Sequence, residues 1–302
     1  MNNSFTFLFP GQGSQFKGMG KNLLGLYKIS KDYYSKAEEI LGFNILEISL
    51  EDPMNNLNQT QFTQPAIFIN SIIKDKILQD NHYTPNAVAG HSLGEYSALV
   101  SSGVLSFEDA LKVIKTRAYE MQKSGKNNAG GMLAILGATK EQIDELCNAA
   151  EMLVPANYNS NEQIVLSGSK KSIEDTLKRC QKIGLRKVVP LKTSGAFHSP
   201  LMKSARNSLS KVIKSVDFKD AKIPIYQNTH PYPEKEGKHI KENLLKQLEN
   251  PVYWHDTIIN MTKNNLTNFI EVGPGNVLAK LTKKIDSNLK TTNFNMINFT
   301  HD

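Results

Sequence analysis

Short apolar runs that end at a glycine or a polar residue recur along the chain and predict the buried strands of a sheet. Between them lie longer stretches with apolar residues at helical spacing, which predict amphipathic helices. Strands that alternate with helices in this way are typical of a mostly parallel sheet covered by helices. The predicted strands include FTFLFP at residues 5–10, AVAG at 87–90, IPIYQN at 223–228 and NFIEVG at 268–273.

The pattern changes in the middle of the chain, where shorter strands and helices follow a different order. From Gly131 onward it reads strand (GMLAILG), helix (TKEQIDELCNAA), two strands (VPAN and QIVLSG), helix (KKSIEDTLKRCQKIG) and strand (LRKVVPLK). This β-α-β-β-α-β order is typical of the ferredoxin-like arrangement. We therefore predict a large α/β domain formed by residues 1–127 and 196–302, and a small ferredoxin-like domain inserted at residues 128–195.

Composition and charge exclude some classes of protein without selecting one. No apolar run reaches the roughly 18 residues that a membrane span needs, so we expect no membrane segment. The N-terminal stretch MNNSFTFLFPGQGSQ lacks the basic start and long apolar core of a secretion signal, which predicts a cytoplasmic protein. The net charge of +7 permits an acidic partner. No spacing of metal ligands and no basic patch interleaved with aromatic residues points to a metal or to nucleic acid.

The pentapeptide GHSLG at residues 90–94 fits the pattern G-x-S-x-G and lies between a predicted strand and a predicted helix. A serine at that junction lies on a sharp turn, where flanking side chains larger than glycine would clash. The turn presents the Ser92 hydroxyl at the carboxyl end of the sheet and directs the Leu93 N–H to where an oxyanion would develop. The alternative is a tight turn with an incidental serine, but the strand–turn–helix context favours a nucleophile.

A nucleophilic serine needs a general base, and the seven histidines are the first candidates. His91 is adjacent to Ser92, and neighbouring side chains on a turn usually diverge, so we do not expect it to be the base. His198 follows the last strand of the small domain, where the chain returns to the large domain and can overhang a cleft. This position favours His198, although a lone histidine is more often structural.

Arg117 carries a charge on the inward face of a predicted helix. Ala110, Ile114, Arg117 and Met121 follow the spacing i, i+4, i+7, i+11, so Arg117 shares the apolar seam of that helix. A buried arginine requires a partner. Spacing alone leaves two interpretations equally open: a structural ion pair, or a fork that binds a substrate carboxylate through two hydrogen bonds.

A set of stretches spans nearly the whole chain: FPGQGSQ, QTQFTQPA, AGHSLGEYSAL, IKTRAYEMQ, NYNSNEQIVLSG, GAFHSPLM, QLENPVYW and EVGPGNVLAKL. In this order they resemble the malonyl-CoA:acyl-carrier-protein transacylase family. The resemblance implies a hydrolase-like α/β core with a ferredoxin-like insert. It also implies an enzyme that uses malonyl-CoA as substrate and holds no permanently bound cofactor.

The resemblance assigns the chemical step to three residues. Ser92 is expected to be the nucleophile and His198 its base. Gln247, in QLENPVYW, is expected to orient His198 through its main-chain carbonyl. This differs from a Ser-His-Asp triad, and no acidic residue in the sequence presents itself as a third member.

The resemblance also assigns residues that bind the substrate. The main-chain N–H groups of Gln12 and Leu93 are expected to form the oxyanion hole. Arg117 is expected to bind the malonyl carboxylate. Phe197, which precedes the histidine, matches the pattern that accompanies selection of malonyl over methylmalonyl groups.

The implied reaction is a ping-pong transfer through a malonyl-Ser92 intermediate. CoA leaves after the first step, and the phosphopantetheine thiol of an acyl carrier protein then takes the malonyl group. Carrier proteins of this kind are generally acidic, which suits the net charge of +7. Two rival functions remain: a serine esterase or thioesterase on the same core, which would use water, and a catalytically silent protein that docks the carrier.

The sequence leaves open which pathway the carrier serves and where it docks. The enzyme serves fatty-acid synthesis or a polyketide synthase in trans, and the stretch NNLNQTQFTQPAIFIN and the compact GAFHSPLM favour the second. Basic residues of the small domain are candidates for docking the carrier, against the alternative of a solvated face. These residues are Lys170, Lys171, Lys178, Arg179, Lys182, Arg186 and Lys187.

Overall fold

The computed structural model describes residues 5–299, which form two separate β-sheets and the helices that cover them. The strands are β1 (Phe5–Phe9), β2 (Pro85–Gly90), β3 (Gly130–Leu136), β4 (Leu153–Ser160), β5 (Gln163–Ser169), β6 (Val188–Pro190), β7 (Ile225–Gln227), β8 (His230–Glu234), β9 (Asn268–Glu271) and β10 (Lys290–Asn293). The helices are α1 (Lys21–Leu26), α2 (Ile29–Leu41), α3 (Ile45–Leu50), α4 (Thr60–Asp80), α5 (Gly94–Ser101), α6 (Phe107–Asn127), α7 (Lys140–Asn148), α8 (Lys170–Lys182), α9 (Lys203–Ser215), α10 (Gly237–Lys246), α11 (Trp254–Lys263) and α12 (Val277–Ile285). Short 3₁₀ segments lie at Pro200–Met202, Gln247–Glu249 and Phe294–Met296.

The large sheet has the strand order β10-β9-β1-β2-β7-β8. Every neighbouring pair in it is parallel except β7 and β8, which pair antiparallel at one edge. The short strands β8 and β10 lie at the two edges and were not predicted. The predicted α/β fold class, with a mostly parallel sheet covered by helices, is confirmed.

The central position of β1 follows from its sequence and places the glycine turn after it. Phe7, Leu8 and Phe9 are all fully buried, as expected for a parallel strand covered on both faces. β1 pairs with β2 on one side and β9 on the other. The turns that follow these three strands therefore meet at one carboxyl edge of the sheet, where ligand sites of α/β folds lie.

The small sheet is antiparallel and has the strand order β4-β5-β3-β6. Together with α7 and α8 it follows the predicted β-α-β-β-α-β order. Its own core contains Leu133, Ile135 and Leu166. A backbone bridge joins Asn157 of β4 to Val252, which lies in the larger part of the chain. The small sheet is thereby held beside the carboxyl edge of the large one.

The helix α6 begins at Phe107, where the Ser106 side chain accepts a hydrogen bond from the main-chain N–H of Asp109. This is the cap that the residues before the helix favour. Arg117 lies on the buried face of the helix, in agreement with its spacing. Within residues 5–299, no helix combines the length and the apolar character needed to cross a membrane.

Candidate active site

Ser92 lies on the turn between β2 and α5, at the carboxyl edge of the large sheet. Its φ of 51° is in the left-handed region, which costs energy for a residue other than glycine and is typical of functional turns. A Cβ atom on Gly90 would lie 2.0 Å from the carbonyl carbon of Gly94, and one on Gly94 would lie 1.9 Å from the carbonyl oxygen of Phe9. The two glycines around Ser92 are therefore required by the close approach of backbone to backbone.

His198 approaches the serine from the segment that follows the small sheet. Its Nε2 lies 2.8 Å from Ser92 Oγ. Its Nδ1 lies 3.0 Å from the carbonyl oxygen of Gln247 and 3.1 Å from that of Asn250. Carbonyl oxygens only accept hydrogen bonds, so we assign the proton to Nδ1 and leave Nε2 free to accept from the serine hydroxyl. His198 is thus oriented by two main-chain carbonyls, of which sequence reasoning missed Asn250.

The environment keeps His198 in the neutral form that a general base needs. The side chain is only 2% exposed. Burial, together with the positive charge of Arg117, lowers the pKa of His198 to about 3. The two carbonyls oppose this shift without reversing it. At neutral pH the imidazole is therefore able to accept a proton from the Ser92 hydroxyl.

His91, the neighbour of Ser92, points elsewhere. Its Nε2 lies 2.9 Å from Oδ1 of Asn159 on β4. Burial lowers the pKa of His91, so this ring is also kept neutral. The side chain links the serine turn to the small sheet instead of contacting the serine hydroxyl.

Arg117 brings a buried positive charge to the serine. The side chain is 1% exposed, and its Nη2 donates to Ser92 Oγ at 3.1 Å and to Gln247 Oε1 at 3.0 Å. Its Nη1 donates to Gln64 Oε1 at 2.7 Å. None of the ion pairs found among residues 5–299 includes Arg117. The guanidinium therefore rests on uncharged acceptors and can take a carboxylate ligand. Gln64 is a contact that sequence reasoning missed.

The two main-chain N–H groups expected to form the oxyanion hole, those of Gln12 and Leu93, lie on the turns that follow β1 and β2. In the hydrogen bonds found for residues 5–299, neither the N–H of Gln12 nor that of Leu93 donates to a protein acceptor. Gln12 follows Gly11, at which a Cβ atom would lie 2.4 Å from the carbonyl oxygen of His91. The turns that carry Gln12 and Ser92 therefore approach each other closely at Gly11 and His91. Leu93 itself is buried, and Gln12 lines the cavity described next.

A cavity of about 420 Å³ opens over Ser92 and His198, between the two sheets. Its apolar wall is formed by Phe197, Met132, Val165 and Leu191. Phe197, the neighbour of His198 in the chain, is 6% exposed and lines the same cavity as Ser92. Concave, mostly apolar sites with a few convergent polar groups are typical of small-molecule binding. Among residues 5–299, no group of three or more His, Cys, Asp or Glu side chains could hold a metal ion.

A buried polar network behind the serine contains residues that sequence reasoning missed. Asn228 Oδ1 accepts a hydrogen bond from the main-chain N–H of Ser92 at 2.7 Å, and its Nδ2 donates to the carbonyl oxygen of Gly90 at 2.6 Å. Asn228 directly follows β7, the parallel neighbour of β2. Its position was a signal that the sequence offered: a polar residue at the carboxyl end of a predicted strand. Because the carboxyl ends of parallel strands meet at one edge of the sheet, such a residue can lie close to Ser92.

Comparison with known proteins gives consistent matches over almost the whole chain. A family model described as the acyl transferase domain matches residues 6–294. The malonyl CoA-acyl carrier protein transacylase of Bacillus subtilis (strain 168) is 39% identical over 293 residues, which are 96% of this chain and 92% of that protein. The crystal structure of the malonyl-CoA:acyl carrier protein transacylase of Xanthomonas oryzae pv. oryzae is similar with a TM-score of 0.93 at 34% identity, covering 97% of this chain and 94% of that one. A malonyl-transacylase in complex with its type II PKS acyl-carrier protein is similar with a TM-score of 0.92 at 33% identity, covering 96% of each chain.

Proposed function

Because the chain belongs to the acyl transferase domain family, we propose that it transfers a malonyl group from malonyl-CoA to the phosphopantetheine thiol of an acyl carrier protein. The observation that carries this proposal is the convergence on one hydroxyl. Ser92 Oγ lies 2.8 Å from His198 Nε2 and 3.1 Å from Arg117 Nη2. A nucleophile, its base and a cation suited to a carboxylate therefore meet at one point, and the relatives named malonyl CoA-acyl carrier protein transacylases agree with it.

In the first half-reaction Ser92 is the nucleophile. As its Oγ attacks the thioester carbonyl of malonyl-CoA, the hydroxyl proton passes to Nε2 of His198. The carbonyl oxygen becomes an oxyanion, and the N–H groups of Gln12 and Leu93 stabilise it. His198 then returns the proton to the departing sulfur of CoA, and the malonyl group remains on Ser92 as an ester.

The free carboxylate of the malonyl group binds Arg117. A guanidinium matches a carboxylate with two parallel hydrogen bonds, and the low exposure of Arg117 makes that pairing strong. The contact of Nη2 with Ser92 Oγ places the guanidinium within one malonyl length of the acylated oxygen. The bulky ring of Phe197 on the cavity wall supports selection of malonyl over methylmalonyl, because a methyl branch needs added room.

In the second half-reaction a thiol takes the place of CoA. His198 accepts the proton of the phosphopantetheine thiol, the thiolate attacks the malonyl-Ser92 ester, and Ser92 recovers the proton as it leaves. A serine thioesterase would run this step with water. A comparison of free-CoA release with and without carrier protein separates the two functions. The transacylase releases one CoA per enzyme without carrier, so continued release beyond that first equivalent would favour the thioesterase.

Positive charge at the cavity mouth supports docking of an acidic carrier. Lys280 and Lys284, on one face of α12, line the cavity together with Val277. Among the described residues, none of the seven basic residues first considered on the small domain lines it. We propose α12 as the docking element nearest the serine, because fixed charges at the mouth of a cleft steer an oppositely charged partner.

The remaining assignments complete the proposal. We propose that residues 1–127 and 196–302 form the large domain, of which residues 1–4 and 300–302 lie outside the described part of the chain. Residues 128–195 form the inserted domain, and the enzyme works in the cytoplasm. The pathway, fatty-acid or polyketide synthesis, depends on the carrier that the enzyme prefers. A panel of phosphopantetheinylated carriers, each offered to the malonyl-enzyme, decides it by the rate of transfer.

A further inference from the structure

Glu95 is a buried carboxylate next to the site that the catalytic scheme does not use. It lies in the first turn of α5, three residues after Ser92, and is 1% exposed. Its Oε1 accepts a hydrogen bond from Gln227 Nε2 at 3.0 Å. Its Oε2 accepts from the main-chain N–H of Asn228 at 2.9 Å and from Gln247 Nε2 at 3.0 Å. Such full coordination of a buried acid calls for an explanation, because buried charges are costly unless paired.

The hydrogen bonds around Glu95 fit the ionised carboxylate. All the partners found for it are N–H donors, and a protonated carboxyl would turn its own O–H toward one of them. The N-terminal turn of α5 also favours negative charge. Burial raises the pKa of Glu95, and the hydrogen bonds from Asn228, Gln247 and Gln227 and the charge of Arg117 oppose that shift.

One side-chain amide connects Glu95 to Arg117. Gln247 Nε2 donates to Glu95, and Gln247 Oε1 accepts from Arg117 Nη2 at 3.0 Å. The negative end of the amide faces the cation and its positive end faces the anion, so the amide dipole favours both charges. Burial lowers the pKa of Arg117, and Tyr96 and the charge of Glu95 oppose this shift. The two buried charges stabilise one another across the amide without touching.

We propose that Glu95 is a positioning residue that serves as the counter-ion of Arg117 through the side-chain amide of Gln247. The charge of the guanidinium is thereby compensated, while only uncharged acceptors occupy it, and these can yield to the malonyl carboxylate. This inference rests on the proposed function. A direct salt bridge would occupy the fork and compete with the substrate. Separation by Gln247 keeps the charge compensation and leaves no protein carboxylate on the guanidinium.

The arrangement has a consequence for the acyl-enzyme. In the empty site the charges of Arg117 and Glu95 cancel, and the malonyl carboxylate then adds one negative charge. Without the charge of Glu95, the empty site would hold an uncompensated cation, and the malonyl carboxylate would neutralise it. Glu95 therefore weakens the hold on the malonyl group. This allows the group to leave for the carrier.

Thermal unfolding of Glu95→Gln tests this inference. Glutamine keeps the shape of the side chain, and its Oε1 can still accept hydrogen bonds from Asn228 and Gln247. Its NH₂ group would face the NH₂ group of Gln227, and this cost is the same whether Ser92 is free or acylated. Malonylation of Ser92 should raise the Tm of both proteins, and mass spectrometry checks that each carries one malonyl group. We expect this rise to be at least about 2 °C larger in Glu95→Gln than in the wild type. Acetylation, which adds no carboxylate, should give equal shifts in both proteins. Equal shifts on malonylation would overturn the proposal.

Asp75→Asn is the matched control. Asp75 is a second buried carboxylate, on α4, and accepts hydrogen bonds from Gln79 and Ser101. Its replacement should lower the Tm of the empty, malonylated and acetylated proteins equally. An extra malonyl shift in Asp75→Asn as large as that in Glu95→Gln would mean that the effect is a general one of buried charge.

A second comparison needs no acylation. In the empty protein, Glu95→Gln and Arg117→Gln each leave one buried charge uncompensated, so each should lower the Tm. The double variant removes both charges, and we expect it to lose less than the sum of the single losses. Additive losses would refute the pairing, whether or not Glu95→Gln alone is stable. If the wild type forms no malonyl adduct, the proposed function fails, and this comparison still tests the pairing.

Discussion

Replacement of Arg117 by alanine tests whether this side chain binds the malonyl carboxylate, as proposed, apart from any effect on the chemistry at Ser92. The side chain is 1% exposed and makes hydrogen bonds to Gln64, Gln247 and Ser92. In Arg117→Ala a malonyl carboxylate would enter the cavity without its cation. An acetyl group has no carboxylate to leave unpaired, so the two substrates should respond differently.

The expected magnitudes follow from the contacts. Leaving a buried charge without its partner costs about 2–5 kcal/mol, which lowers the rate of malonyl transfer roughly 30- to 4,000-fold. For acetyl transfer, the loss is that of the single charged hydrogen bond from Nη2 to Ser92 Oγ, about 1.5–3 kcal/mol, or roughly 10- to 150-fold. Malonyl transfer bears this loss in addition to that of the unpaired carboxylate. Gln64 and Gln247 lose their donor with either substrate, so this cost cancels from the ratio of the two rates.

The assay is single-turnover acylation of Ser92, followed by rapid quenching and intact-mass spectrometry with malonyl-CoA and with acetyl-CoA. Arg117→Lys is the matched control, because it keeps a positive charge and lacks the fork. We expect its malonyl rate to lie between those of the wild type and Arg117→Ala. Equal losses for the two acyl groups in Arg117→Ala would show that the arginine is structural, and would refute the reasoning.

Three further predictions address the base, the pocket and the partner. Because the pKa of His198 is lowered to about 3 in the folded protein, only the unfolded chain binds a proton at this residue between about pH 6.5 and pH 3. Between pH 7 and pH 4 the free energy of unfolding of the wild type, measured by urea denaturation, should therefore fall by about 3 kcal/mol more than that of His198→Gln. Equal losses in the two proteins would contradict a neutral, buried His198. Phe197→Ser should raise the ratio of methylmalonyl to malonyl acylation of Ser92 by mass spectrometry, and an unchanged ratio would show that Phe197 does not limit the pocket. Lys280→Glu combined with Lys284→Glu should raise the KM for carrier protein in transfer from preformed malonyl-enzyme, most clearly at low salt; an unchanged KM would place docking elsewhere.

The elements that carry the serine could be predicted because their signals are local. The apolar run of β1 identifies a central strand, since no polar residue interrupts Phe7, Leu8 and Phe9. The glycines around Ser92 identify the turn, since only glycine permits the approach of backbone that the structure has there. The edge strands β8 and β10 were missed because they are short, and β8 carries two prolines in HPYPE.

The network behind the serine could not be predicted because its members are brought together only by tertiary packing. Glu95 reads in the sequence as an ordinary acid in the first turn of a helix, a common and usually exposed position. Gln247 and Asn228 enclose it from segments far away along the chain. Spacing placed Arg117 inside the fold, but it could not distinguish an ion pair from a set of uncharged acceptors. That choice depended on Gln64 and Gln247.

The main-chain partners of His198 show the same limit. The resemblance pointed to the carbonyl of Gln247, and the structure adds the carbonyl of Asn250 at 3.1 Å. Main-chain carbonyls leave no mark in a sequence, because every residue has one. Pro251 restricts Asn250 to an extended conformation, which the structure has at φ −123° and ψ 156°. The proline was the available signal that the helical segment ends at Asn250, which leaves the carbonyl group of Asn250 free to accept a hydrogen bond from His198.

The most direct test of the central claim follows the malonyl group itself by intact-mass spectrometry. The protein is mixed with malonyl-CoA, freed of excess substrate and then mixed with a phosphopantetheinylated carrier protein, with Ser92→Ala treated in parallel. We predict one malonyl group on the wild type, its transfer to the carrier, and no adduct on Ser92→Ala. Consumption of malonyl-CoA with neither an adduct nor a malonylated carrier would contradict the account, as would an equal adduct on Ser92→Ala.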